Sequence, residues 1–167
     1  ARLGFWGRRS GGRFRRHGPG RRRVRDGGGR RRVCRGRLLG GNLTILSTMM
    51  GTGWLPDFDG AILFLEDINE EPYRIDRMLQ QLQLAGVLDR LAGVVFGQCT
   101  RCSAGDADAR TFTLDDVLGA HLAPLGIPVV TGFNSGHVRN QLCLPVNVPV
   151  ELDAGARTLR MLEPAVA

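Results

Sequence analysis

The chain changes character at Leu38, and that break decides how much of it can fold. Residues 1–37 hold 15 arginines and one acid, Asp26, a net +14; residues 38–167 hold 8 arginines against 15 acids, a net −7, so that +14 − 7 gives the formal +7 of the whole. The first stretch alternates Arg and Gly around isolated Phe5, Trp6 and Phe14. It has no period of 2 or 3.6 and too little apolar surface to offset the entropy of ordering it. Residues 1–36 are therefore read as a disordered Arg/Gly-rich tail ahead of one folded domain, 37–167. One domain suits a 167-residue chain at roughly 100–200 residues per domain.

All 23 basic residues are arginine, a bias expected of a very G+C-rich gene, whose shifted reading frames yield mostly Arg, Gly, Ala and Pro. The expectation is that residues 1 to about 35 are translated out of frame, or belong to a truncated gene assignment. Alternatively the arginines bind nucleic-acid phosphates while Phe5, Trp6 and Phe14 stack on bases. That reading ranks second, because the body is acidic and carries no recognised nucleic-acid motif. No apolar run approaches the ~18 residues of a membrane span, and the Arg-rich start lacks the apolar core of a secretion signal. A soluble, cytoplasmic body with no membrane partner is expected.

From Leu38 onward, apolar segments alternate with Gly/Pro/Asp punctuation. Asn42 to Met50 starts with a capping residue type and is followed by Gly51, which predicts a short helix. Ala61 to Leu65 is a continuous apolar run, as in a strand covered on both faces. Pro72 suits a first helical turn, and Ile75, Met78, Leu79 and Leu82 recur at helical spacing before Gly86. Ala92 to Phe96 predicts a second buried strand. Thr113 with Asp116 resembles a capping box opening a helix to about Leu122. Ile127 to Val130 predicts a third strand, and Val148–Leu152 with Thr158–Leu162 a terminal hairpin. The sum is an α/β domain, a mixed sheet with flanking helices and a terminal hairpin.

Functional groups in such folds gather beyond the carboxyl ends of strands. Glu66 follows the first apolar run directly, and His137 follows the third strand through the loop Thr131 to Gly136. A carboxylate that fixes an imidazole's tautomer and stabilises its protonated form makes two thirds of a serine-hydrolase triad. On spacing alone, a capping or ion-paired Glu66 and a hydrogen-bonded loop His137 are the blander alternative.

The surrounding words change that weighing. Leu38-Leu39-Gly40-Gly41-Asn42-Leu43-Thr44, then Gly51-Thr52 with Trp54, Leu55 and Pro56, then the block from Ile62 to Leu79, then Gly132 to His137 and Leu144-Pro145 follow one another in a telling order. They resemble the C-terminal domain of the LD-carboxypeptidases, also called muramoyltetrapeptide carboxypeptidases, across nearly all of residues 36–163. The resemblance implies a cytoplasmic serine peptidase that removes terminal D-alanine from muropeptides by cutting an L–D peptide bond. It implies Glu66 and His137 as triad members, a homodimer, and no metal or cofactor. The family's nucleophilic serine stands on a strand-to-helix elbow of a separate N-terminal domain.

None of Ser10, Ser47, Ser103 and Ser135 has that context. Ser135 is read as a loop hydrogen-bonder, and the chain alone is expected to be inactive. Asn42 is a candidate substrate-binding residue at a helix start, with a plain N-cap role at least as strong. Arg74 and Arg77 could meet a substrate carboxylate, against the blander reading of helix-surface ion pairs. Tyr73 and Trp54 read as core or rim aromatics, and His121 as structural or exposed. Cys99 and Cys102 form a lone C-x-x-C, a weak sign of a redox pair or half a zinc site, and are expected to be unpaired thiols.

Overall fold

In the computed structural model, which describes residues 32–103 and 111–165, the apolar run beginning at Ala61 becomes the strand β2 (Ile62–Ile68), buried along six of its seven residues. Around it lie β1 (Val33–Asn42), α1 (Leu43–Thr48), α2 (Pro72–Leu84), β3 (Gly93–Thr100), α3 (Leu114–Leu122), β4 (Val129–Phe133), β5 (Pro149–Asp153) and β6 (Thr158–Met161). The strands form one sheet in the order β4-β3-β2-β1-β5-β6. The first four run parallel, β5 pairs antiparallel with β1, and β6 pairs antiparallel with β5.

Each helix crosses between successive parallel strands and packs on the same sheet face. Right-handed crossovers stepping one way along a sheet place their helices on one side. That face carries Leu63 and Leu65 of β2 against Leu43 and Leu46 of α1, Ile75, Leu79 and Leu82 of α2, and Val117, Leu118 and Leu122 of α3. The opposite face carries Ile62 and Phe64 with Leu38, Val95, Val130, Val150 and Leu152, and partly buried Leu144 and Val148 pack against them. Because strand side chains alternate faces, β2 feeds both cores.

One boundary departs from the sequence reading. The sheet starts at Val33, ahead of the compositional break, and Val33–Arg37 pair antiparallel with β5 before Leu38–Asn42 pair parallel with β2. Here Cys34 and Gly36 are half-buried while Arg35 and Arg37 are exposed. Gly36 is wedged against the Gly60 carbonyl, where a Cβ would not fit, and Arg35 Nε donates to Glu151 Oε2 at 2.6 Å. Composition cannot report pairing with a strand more than a hundred residues away. The remainder of the Arg/Gly tail, residues 1–31, lies outside the described residues. No helix among the described residues is long and apolar enough to cross a membrane.

Candidate active site

Glu66 stands near the carboxyl end of β2 with its side chain 8% exposed, yet its Oε2 lies 2.8 Å from Nδ1 of His137, whose ring is half exposed. An ionised carboxylate can only accept, so the contact places a proton on Nδ1 and leaves Nε2 as the ring atom turned away from Glu66. The pair spans 71 residues of sequence, and the local backbone explains how the loop reaches the strand. Opposite Leu65 to Asp67, β3 fits two residues, Gly97 and Gln98, against the one residue Glu66. Opposite Val95 to Gly97, β4 again has one residue too many. Two successive bulges bend the neighbouring strands at the level of Glu66, a common device beside functional sites.

The loop then closes over the carboxylate. Gln98 N–H donates to the Ser135 carbonyl at 3.0 Å, and the Thr100 hydroxyl donates to the His137 carbonyl at 2.8 Å. Gly136 has φ +118°, and a Cβ there would stand 2.8 Å from Glu66 Oε2. Gly97 is equally constrained, since its Cβ would lie 3.2 Å from Glu66 Cβ and strike the Ser135 carbonyl.

Next to Glu66 in sequence, Asp67 points to the helical face and is 2% exposed. Its carboxylate accepts from Asn42 Nδ2 at 3.0 Å, from both the amide and the hydroxyl of Thr44 at 2.9 Å, and from the Ile68 amide at 2.8 Å. Asn42 Oδ1 meanwhile accepts from the Ile45 amide at 3.0 Å as the N-cap of α1. Asp67 thus locks the first turn of α1 to the end of β2, directly beside the Glu66–His137 pair.

Residues 35–152 match the family described as the LD-carboxypeptidase C-terminal domain. The chain belongs to the LD-carboxypeptidase family. A Synechocystis protein described as a carboxypeptidase is 45% identical over 130 residues, 78% of this chain and 43% of the relative. The muramoyltetrapeptide carboxypeptidase from Oxalobacter formigenes superposes with a TM-score of 0.70 at 38% identity, covering 77% of this chain and 45% of that one. The Escherichia coli microcin C7 self-immunity protein MccF, in complex with glutamyl sulfamoyl guanosine, gives a TM-score of 0.71 at 27% identity, covering 81% and 40%. The chain therefore spans less than half the length of these LD-carboxypeptidase relatives.

The structure brings together Glu66 and His137, the two residues that local sequence logic and family resemblance had both selected. It shows Asn42 at the same edge in its capping role, paired in register with Glu66. No serine among the described residues hydrogen-bonds to His137. The Ser135 hydroxyl donates to the Leu142 carbonyl at 3.0 Å, as expected of a loop hydrogen-bonder, and that of Ser47 to the Thr44 carbonyl at 2.7 Å. Arg74, in the first turn of α2, lies 3.8 Å from Glu70 just ahead of the helix, and Arg74 and Arg77 both stand over the Tyr73 ring, at 5.7 and 5.1 Å. Tyr73 and Trp54 are exposed. His121 is structural: it is buried between α2 and α3, with Nε2 2.8 Å from Asp76 and Nδ1 3.2 Å from Gln83.

The cysteines correct an expectation. Cys99 and Cys102 are joined as a disulfide rather than left as thiols. Arg101, at φ +56°, turns the chain back so that the two Cα atoms come within 5.4 Å, inside the range a disulfide requires. Sequence reasoning also missed Asp67 and Thr100. Asp67 stood in plain view beside Glu66, but the partners that make it useful come from another element.

Proposed function

We propose that this chain carries the base-bearing part of a serine-type LD-carboxypeptidase that releases terminal D-alanine from muropeptides by cleaving an L–D peptide bond, as in peptidoglycan recycling. The observation that carries this reading is the 2.8 Å contact between buried Glu66 and His137 Nδ1, on a chain of this family. A serine on the family's separate N-terminal domain attacks the scissile carbonyl as His137 Nε2 takes its proton. Glu66 keeps the ring in the required tautomer and stabilises the imidazolium. His137 then returns the proton to the leaving amine of D-alanine, and a water deprotonated by the same nitrogen releases the acyl group.

On this reading the chain alone is inactive, because base and orienting carboxylate lack a nucleophile. Asn42 takes no step here; its amide is engaged in capping and in binding Asp67. The test is a chimera in which residues 35–165 replace the corresponding part of the Oxalobacter formigenes enzyme, assayed for D-alanine release from a muropeptide tetrapeptide. The chimera should release D-alanine, and His137→Gln should slow it by about 10²–10⁴-fold, the usual contribution of general-base catalysis. A chimera that turns over equally well with His137→Gln overturns the reading.

A further inference from the structure

The four-residue ring closed by Cys99 and Cys102 touches both halves of the candidate site through one residue, Thr100. Its carbonyl accepts from the amide of Asn69, just past the strand that presents Glu66, at 2.9 Å. Its hydroxyl donates to the carbonyl of His137 at 2.8 Å. Arg101, inside the same ring, donates through Nε to Asn69 Oδ1 at 2.7 Å. Cys99 itself stands opposite Asp67 in the β2–β3 register. The ring therefore ties the end of β2 to the His137 loop at a point two residues beyond the bulge in β3.

We infer that Thr100 is a positioning residue for the Glu66–His137 pair and that the Cys99–Cys102 disulfide holds it in place, so that thiol–disulfide exchange tunes the alignment of the base. A four-residue loop has little freedom once closed, and opening it returns that freedom to Thr100 and Arg101. The chemistry needs only an external dithiol. Its thiolate attacks one sulfur, its second thiol resolves the mixed disulfide, the dithiol is oxidised to a cyclic disulfide, and Cys99 and Cys102 each end as a thiol. Cys102 is buried, but Cys99 is only half-buried and Arg101 exposed, so such a reagent meets the ring from outside at the Cys99 sulfur.

This inference rests on the Glu66–His137 pairing but not on catalysis, and its test needs no turnover. The full chain, labelled with ¹⁵N, is observed by NMR for the downfield His137 Nδ1–H resonance, assigned by its loss in His137→Gln. In the oxidised protein the signal should be present and slow to exchange with solvent. Dithiothreitol, or the double variant C99S/C102S, should speed its exchange about fivefold, the factor that goes with losing one ordinary hydrogen bond. Thr100→Val should do the same with the disulfide intact, and Thr100→Ser, which keeps the hydroxyl, should restore slow exchange. Core methyl signals report whether each variant stays folded. A signal that ignores both reduction and Thr100→Val overturns the clamp alone. Its absence from the oxidised parent overturns the Glu66–His137 pairing and the clamp with it.

Discussion

Glu66 and Asp67 are consecutive residues of β2 whose carboxylates leave opposite faces of the sheet, Glu66 to His137 and Asp67 to Asn42 and Thr44 at the head of α1. The two-residue period of a strand makes this unavoidable. It separates two jobs that adjacent acids of the same strand would otherwise share.

The separation predicts opposite mutant phenotypes. Asp67→Ala leaves the Thr44 amide and hydroxyl without their buried acceptor and should destabilise the chain by about 1–3 kcal/mol, read as a lower urea midpoint. Glu66→Gln keeps an acceptor oxygen and nearly the same shape, so the urea midpoint should move little. In the chimera it should nonetheless cut D-alanine release by at least about 10²-fold.

Gly97 offers a test of the double bulge. Gly97→Ala would drive a methyl into the Ser135 carbonyl and against Phe64 and Glu66. Overpacking of this kind costs about 1–3 kcal/mol, and thermal denaturation should show it. Gly119→Ala meets nothing within 4 Å and, lying inside α3, should leave the melting temperature unchanged or raised.

His121 bridges α2 and α3 from a buried position. His121→Ala should destabilise by about 1–3 kcal/mol through lost packing and lost hydrogen bonds. Its half-exposed partner can be rehydrated, so Asp76→Asn should cost less than about 1 kcal/mol. Equal losses from both variants in chemical denaturation would contradict the assignment of burial as the cause.

Two surface carboxylates, exposed Asp116 and part-buried Glu151, set an acid dependence. The Arg160 guanidinium, then that of Arg35, holds the Glu151 carboxyl below its ordinary range, and the Thr113 hydroxyl and amide do the same for Asp116. A carboxyl depressed in the folded state adds stability above its unfolded pKa and loses it as pH falls through the folded value. Melting temperature should therefore fall on acidification below the ordinary carboxylate range, and less steeply in Glu151→Gln. Added salt should also shrink the effect, because Arg35 and Arg160, the partners of Glu151, are exposed.

Much of the fold was legible because its signals are local. Asn42 and Thr113 cap α1 and α3 as their side-chain chemistry predicts, the latter with a complete capping box, and Pro72 opens α2. The buried run of β2 and the hairpin around Asp153 likewise follow from patterns a few residues long. The strand β1 was not legible as such, since two of the five residues in its first half are arginine and that half is held by β5. His121 showed no pattern because its partners lie on another helix, 38 and 45 residues away.

The site divides in the same way. The residues flanking Glu66 and His137 were enough, by themselves, to mark both as candidates and to place them at strand ends within an LD-carboxypeptidase pattern. Only the tertiary structure decided that they touch, because 71 residues and two bulged strands lie between a sequence position and a 2.8 Å contact. It also decided the roles of Asp67, Thr100 and the Cys99–Cys102 ring. Periodicity and capping are properties of neighbouring residues, whereas a hydrogen bond between two loops depends on where the whole sheet carries their ends.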